Sequence, residues 1–335
     1  MVVDGQISFK DRLKTRPLIF TAIPLRDNKT GDPKHDDKIL KNLETRKEEL
    51  RKSLENYSRL TAISVPELVE ENHEGKPRYN SIYTRALSRG VADLLHVDSI
   101  VNKVIAHAES FEKFVEWMME TSSLGISNII FVGGNTRHHR YPGPTVSEAN
   151  IIATHLSRKH PPWDITIGNI SLPERAEEAK RMLFKTIAGA QFFTTQMLFT
   201  DKQIIDLLLD YGKQCSKAGI EPATVILSFA PLRGTADLNL LDFLGVDLPY
   251  SAESYILEKG ESFDAINRSI LNSLAIYRKV VAVMEELKSY VPIGINVEQL
   301  TKSNLNASVE MLNFFERAID MKSEEIAELI STIKV

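Results

Sequence analysis

The sequence is poor in the residues and patterns that mark several classes of protein. It contains one cysteine, Cys215, which excludes an internal disulfide and a cluster of thiolate metal ligands. It has no uninterrupted apolar run of membrane-spanning length, and its first residues lack the long apolar segment of a secretory signal. The formal net charge of −4 argues against a nucleic-acid partner, because such proteins usually carry a basic face. These features predict a soluble cytoplasmic protein without a membrane partner.

The apolar runs and amphipathic segments predict eight strands that alternate with helices. The predicted strands are 17–23, 60–65, 99–105, 128–132, 164–168, 191–195, 223–229 and 291–297. Eight such units favour a closed (β/α)8 barrel, the TIM barrel, over an open α/β sheet, and the third strand has the weakest pattern.

The remaining segments predict how the chain is organised around this barrel. We expect a single domain over 1–335, with an insertion at 232–260 after the seventh strand and a short helical tail at 322–335. The helix after the fifth strand is predicted to span 173–187, with Pro173 in its first turn.

Functional residues of a barrel concentrate in the loops that follow its strands. One such junction lies in the segment KTIAGAQFFTTQMLF, residues 185–199, where a short apolar strand is followed by Gln196. A glutamine amide both donates and accepts hydrogen bonds, so it can recognise the edge of a heterocycle. Gln196 could equally do no more than cap the end of the strand.

The loop GGNTRHHRYPG, residues 133–143, is the richest in polar groups. Its glycines allow the backbone to approach a ligand closely, and Arg137 and Arg140 could neutralise a phosphate or carboxylate. His138 and His139 are adjacent, so on a regular strand they would point to opposite sides, and neither has a spaced partner. The sequence therefore predicts no metal site. The alternative for this loop is a solvated basic segment that binds nothing.

Two glutamates are placed to act as acids. Glu67 follows the second predicted strand, and Glu298 lies just beyond the apolar run of the last one, in VPIGINVEQL. Each is a candidate catalytic residue, or else a partner in an ion pair at the barrel rim. The sequence has no G-x-G-x-x-G after a strand, no Walker A lysine motif and no G-x-S-x-G elbow, so a nicotinamide or flavin would have to bind at the barrel mouth itself.

Several of these segments together resemble the methylenetetrahydrofolate reductase family, over residues 18–319. KTIAGAQFFTTQMLF is similar to the family signature Lys-x-Asp-Ala-Gly-Ala…Thr-Gln, and SNIIFVGGNTR resembles the strand and loop that carry Arg-Gly-Asp. IFTAIPL resembles the family's first strand, and PIGINVEQL its last. The resemblance implies a (β/α)8 enzyme that transfers hydride from NAD(P)H, through FAD, to a methylene-tetrahydropterin in one-carbon metabolism. It also implies a homo-oligomer, by analogy alone.

The same resemblance implies roles for individual residues. Gln196 would read the pterin ring, with Thr21 and Asn135 also contacting the substrate. Lys185 matches a lysine that contacts the flavin diphosphate, and Glu178 falls where the family has an acidic flavin contact. The full set of implied cofactor-binding residues is Lys185, Glu178, Gly134, Arg137, His138 and Tyr141.

The departures from the family pattern leave the reaction open. Thr21 stands where the family has its catalytic glutamate, Asn135 replaces the loop aspartate, and Gly133 replaces the arginine before it. Threonine has no useful acidity near neutral pH, so Glu67 or Glu298 would have to supply the proton. Hydride transfer with or without flavin is therefore the leading hypothesis. The alternatives are a pterin-dependent methyltransferase and a non-catalytic pterin-binding homologue.

Overall fold

The computed structural model describes residues 8–25, 31–67, 81–134, 141–161, 163–258, 262–287 and 291–333. Within these ranges each strand pairs in parallel with the next, and the last pairs with the first, so the sheet closes into a barrel. The strands are β1 (Leu18–Thr21), β2 (Leu60–Pro66), β3 (Asp98–Val104), β4 (Asn128–Val132), β5 (Thr166–Ser171), β6 (Phe192–Thr195), β7 (Thr224–Phe229) and β8 (Ile293–Glu298). The predicted (β/α)8 fold is confirmed, including the weak third strand.

Helices lie between the strands along the described chain. They are α1 (Phe9–Arg12), α2 (Pro33–Leu54), α3 (Ser81–Leu95), α4 (Phe111–Ser123), α5 (Val146–Lys159), α6 (Glu178–Ile187), α7 (Lys202–Ala218), α8 (Leu238–Phe243), α9 (Tyr250–Ile256), α10 (Ser262–Leu287), α11 (Leu305–Ala318) and α12 (Ser323–Ser331). The short helices α8 and α9 occupy the predicted insertion after β7. Of the helices in the described ranges, none combines the length and the apolar character needed to cross a bilayer.

The barrel interior is filled by a layer of apolar side chains, and the N-terminal helix α1 packs against this layer. The layer consists of Ile19, Ala62, Ile100, Ile130, Phe192 and Ile226, and the N-terminal segment adds Phe9 and Leu13 to the same cluster. The Phe9 ring meets the Phe192 ring edge-on, with ring centroids 5.6 Å apart. Because α1 precedes β1 in the chain, this contact closes the amino-terminal end of the barrel. The end formed by the carboxyl termini of the strands is therefore the candidate location for a functional site.

The C-terminal helix is part of the main core. Ile326 and Leu329 of α12 are buried in the cluster that also contains residues of β1, β7, β8 and α10. The backbone N–H of Ser323, at the start of α12, faces the Glu285 carboxylate of α10 at 3.5 Å. The apolar face of the predicted tail is therefore covered by the same chain.

Two boundaries around β5 differ from the prediction. The strand runs later than 164–168, because Asp164 is exposed and pairs with Lys10, so Asn169 lies inside the strand and is buried. The following helix begins at Glu178 rather than at Pro173, since Glu177 has a left-handed backbone (φ 58°) that interrupts the helical path. Pro173 instead belongs to the turn that links β5 to α6.

We predict that Ile326→Ala lowers the free energy of unfolding by about 2–5 kcal/mol, because it removes a fully buried side chain from the core. A chemical denaturation curve at equilibrium measures the effect. Ile151→Ala on α5 is the matched control, since Ile151 is 58% exposed and its truncation should change stability by no more than about 0.5 kcal/mol. Equal effects of the two substitutions would show that α12 is not docked as described.

Candidate functional site

The barrel interior changes from apolar to polar toward the carboxyl ends of the strands. Side chains at alternate positions of a strand share a face, so the residue two positions after each interior apolar residue also faces inward. These positions are polar on five strands and hold Thr21, Ser64, Asn102, Thr194 and Ser228, while β8 adds Asn296 and Glu298. The mouth of the barrel is therefore lined by hydroxyl, amide and carboxyl groups.

A hydrogen-bond network joins three neighbouring strands in this polar layer. The Thr21 hydroxyl donates to Asn296 Oδ1 at 2.8 Å. Asn296 Nδ2 in turn donates to Ser228 Oγ and to Glu298 Oε1, at 3.1 Å in each case. The backbone register places Thr21 directly opposite Glu298, so the closure of the barrel brings the network together.

Glu298 is the titratable group of this network. Its side chain is partly exposed at the mouth, and burial raises its pKa to about 7, against the opposing effect of the hydrogen bonds from Ser228 and Asn296. Among the residues that the structure describes, no lysine, arginine or histidine forms an ion pair with it. A carboxyl group with a pKa near the working pH is suited to donate a proton.

Glu67, the other predicted acid, has a different environment. Its carboxylate lies 3.0 and 3.2 Å from the Lys103 ammonium and accepts the Val104 backbone N–H at 3.1 Å. The Lys103 ammonium also lies 5.0 Å from the centre of the Trp117 ring on α4, which places the pair on the helix-facing side of the sheet. This geometry matches the ion-pair alternative and favours Glu298 as the acid of the mouth.

Gln196 directly follows β6 at the edge of the mouth. Its Nε2 donates to the carbonyl of Leu244, just after α8, at 3.1 Å, and its Oε1 accepts the backbone N–H of Met197 at 3.3 Å. Both ends of the amide are thus bonded to backbone groups. A role in ligand recognition, which stays a prediction, would require the contact with Leu244 to be exchanged for one with the ligand.

A cluster of charges surrounds the start of α6. Lys185 Nζ donates to the carbonyl of Ile170 at 2.9 Å and lies 3.8 Å from Glu178 Oε1. Arg175 and Arg181 lie 3.8 and 4.0 Å from the other oxygen of Glu178. Burial raises the pKa of Glu178 and lowers the pKa of Lys185. Three cationic side chains around one buried carboxylate leave a net positive charge beside the end of β5.

The glycine-rich loop is described only at its two ends. Gly134 is exposed, and a Cβ at this position would lie 2.1 Å from the ring of Tyr141, so a side chain here would require that ring to move. Asn135, Arg137 and His138, which were predicted to bind substrate or cofactor, lie outside the described residues. The described residues contain no group of three or more His, Cys, Asp or Glu side chains that could hold a metal ion.

Four residues of the polar layer escaped the sequence analysis: Ser64, Asn102, Thr194 and Ser228. Ser64 donates to Asn102 Oδ1 at 3.2 Å on β2 and β3, and Ser228 lies in the network around Glu298. Each is buried or partly buried inside its strand rather than in the following loop. The signal for them is a single polar residue at an inward position within an apolar run, as in LTAISV and TVILSF.

Comparison of the fold with solved structures identifies similar barrels. A protein from Clostridium thermocellum that binds two copies of 5-methyl-5,6,7,8-tetrahydrofolic acid superposes with a TM-score of 0.67 and 18% identity, over 92% of this chain and 98% of that one. At this identity the likeness shows a shared fold, the fold that the predicted family resemblance implies.

Two further structures are much less similar. A lyase/mutase candidate from Burkholderia cenocepacia J2315 gives a TM-score of 0.41 with 11% identity, over 84% of this chain and 88% of that one. A monomeric dihydrodipicolinate synthase variant gives 0.40 with 15% identity, over 90% and 98%. No family model and no curated protein matches the sequence. Function is therefore argued from the site.

We predict that Glu298→Gln stabilises the protein at pH 8 but has little effect at pH 4. The folded-state pKa of Glu298 is raised to about 7, so the folded protein holds this proton more tightly than the unfolded chain, and stability falls as pH rises from about 4.5 to 7. Glutamine keeps the acceptor for Asn296 but cannot ionise. At pH 8 the substitution should raise the free energy of unfolding by on the order of 3 kcal/mol, measured by denaturation at both pH values.

Glu328→Gln is the control for this prediction, because Glu328 is an exposed carboxylate on α12. It should change stability equally little at the two pH values. A pH-independent effect of Glu298→Gln would contradict the raised pKa.

Proposed function

We propose that this protein is an enzyme of one-carbon metabolism that reduces a methylene-tetrahydropterin with hydride from NAD(P)H. The observation that carries the proposal is Glu298, a partly exposed carboxyl group in the mouth of the barrel with a pKa of about 7. It lies directly opposite Thr21, the position at which the resembled family carries its acid. In this proposal the acid is on β8 rather than on β1.

The role of Glu298 is to protonate the nitrogen outside the pterin ring that is bonded to the bridging methylene carbon. The carbon–nitrogen bond then breaks and the nitrogen keeps the electron pair, which leaves an iminium carbon at the other nitrogen. Hydride from NAD(P)H reduces that carbon to a methyl group. Glu298 is left as a carboxylate, stabilised by the donors of Asn296 and Ser228, and takes up a proton from solvent before the next turnover.

The ligand class is supported by the fold comparison together with the chemistry of the mouth. The similar barrel from Clostridium thermocellum binds 5-methyltetrahydrofolic acid, the kind of product that this reduction would form. The polar layer of this protein offers amide and hydroxyl groups, which match the donors and acceptors on the edge of a pterin ring. Gln196, Thr21 and Asn135 are the proposed contacts.

A flavin between the nicotinamide and the pterin is part of the proposal only as an option. Lys185, Arg175 and Arg181 form a net positive cluster beside β5, and this charge fits a diphosphate. These three residues would hold the diphosphate of FAD, while Gly134 and Tyr141, with Arg137 and His138, are the other proposed contacts. A bound flavin would carry hydride between donor and acceptor. Glu178 would then position the cations rather than touch the flavin, because it is buried beneath them.

A second candidate is a pterin-binding protein that does not reduce its ligand. The amide of Gln196 donates to the carbonyl of Leu244 in the structure, and residue 21 is a threonine rather than an acidic residue. A pterin-dependent methyltransferase would share these features. Oxidation of NAD(P)H that depends on the pterin would exclude both alternatives.

We predict that Glu298→Gln lowers the rate of NAD(P)H oxidation with methylenetetrahydrofolate by roughly 10²–10⁴-fold, because the general acid is lost. The wild-type rate should fall as the pH rises through about 7, as the acid ionises. Glu328 is an exposed carboxylate on α12, outside the barrel mouth, so Glu328→Gln should retain the wild-type rate. An active Glu298→Gln enzyme would remove Glu298 from the mechanism.

We also predict that a tetrahydrofolate stabilises the protein against thermal unfolding. One-site binding at about 100 times the dissociation constant should add roughly 2.7 kcal/mol to the free energy of unfolding. Thermal shift with 5-methyltetrahydrofolate, FAD, NADH and NADPH, each added separately, compares the candidates. Stabilisation by the folate without pterin-dependent NAD(P)H oxidation would favour the binding protein, and no stabilisation by any folate would contradict the ligand class.

A further inference from the structure

The Asn296 amide is turned with its oxygen toward β1 and its nitrogen toward β7 and β8. The Thr21 hydroxyl donates to Asn296 Oδ1 at 2.8 Å, so the acceptor end of the amide faces β1. The donor end faces β7 and β8, where it reaches Ser228 Oγ and Glu298 Oε1 at 3.1 Å each. Asn296 is 2% exposed and Thr21 is 7% exposed, so water competes little for these bonds.

Within the part of the chain that the structure describes, the side chains aligned with or bonded to Glu298 are neutral. β1 contributes Thr21, β7 contributes Ser228 and β8 contributes Asn296, and none of these titrates near neutral pH. Within the described ranges no charged side chain is paired with Glu298. Burial raises the pKa of this carboxyl group, and the hydrogen bonds from Ser228 and Asn296 are the described contacts that oppose the rise and orient the group.

We propose that Asn296 is a positioning residue, which holds the Glu298 carboxyl group in one orientation at the barrel mouth through a hydrogen-bond chain that starts at Thr21. Thr21 acts by keeping the amide from rotating, and Asn296 acts by donating to the carboxyl group. These hydrogen bonds give Thr21 a role at the position where the resembled family carries an acid. This inference deepens the proposed function, because it identifies what controls the proposed proton donor.

The direct test is the pKa of Glu298 in the ligand-free protein. It can be followed by NMR of the side-chain carboxyl carbon in protein labelled with ¹³C-glutamate, with Glu298→Gln identifying the signal. Asn296→Leu removes the donor at nearly constant volume, and the pKa of Glu298 should rise by roughly one unit, because a hydrogen bond to the ionised form is lost. Thr21→Val removes only the anchoring hydroxyl, and should raise the pKa in the same direction by less.

Asn128→Leu is the matched control. Asn128 is also a buried asparagine of the barrel, but its side chain donates to the carbonyl of Ser99 near the amino-terminal end of the strands. This substitution should leave the pKa of Glu298 unchanged. If Asn296→Leu does not fold, Thr21→Val alone decides the question, since threonine and valine have nearly the same shape.

A kinetic measurement extends the test to turnover. In both network variants the pH at which NAD(P)H oxidation declines should move upward by the same amount as the pKa of Glu298. The NMR measurement needs no substrate, so it stands if the proposed reduction fails, whereas a shifted pKa with no turnover would count against the reduction alone. A pKa that Asn296→Leu and Thr21→Val leave at the wild-type value, or that Asn128→Leu shifts equally, would overturn the positioning role.

Discussion

The pairing of the first strand with the last is the constraint on which the site depends. β1 hydrogen-bonds to both β2 and β8, and this second ladder aligns Thr21 with Glu298 and Ile19 with Asn296. Residues 275 positions apart in the sequence thereby form one network. In an open sheet these side chains would lie at opposite edges, and the carboxyl group would lose the burial that raises its pKa.

Glu67 and Glu298 both lie at the carboxyl end of a strand, but they occupy different faces of the sheet. Glu67 reaches the helix-facing side, where its carboxylate pairs with Lys103 and accepts a backbone N–H. Glu298 faces the interior, where amide and hydroxyl donors only partly offset the cost of burying a charge. Burial raises the pKa of both carboxyl groups, but Glu67 is held in an ion pair with Lys103, whereas the described residues place no cation beside Glu298.

The sequence was sufficient for the eight-stranded barrel and for the polar residues that end β1 and β8, because apolar runs and their interruptions are local signals. Thr21 and Glu298 were recognised in this way. Asn102 and Ser228 were not, because the inward positions of a strand are known only once its pairing register is known. The start of α6 was misplaced for a related reason, since the left-handed conformation of Glu177 is not apparent from the residue type. The side of the sheet on which Glu67 lies also depends on tertiary packing, through Trp117 on α4.

The burial of α12 in the main core has a consequence for how the protein is made. The N-terminal part of a chain leaves the ribosome first, so the long helix α10 and the strand β8 emerge before the residues of α12 that cover them. Until Ile326 and Leu329 have left the exit tunnel, apolar surface of this core stays open to water and to other chains. Nascent protein that is stalled or truncated just before α12 would thus be a substrate for chaperones, although every strand of the barrel had already been synthesised.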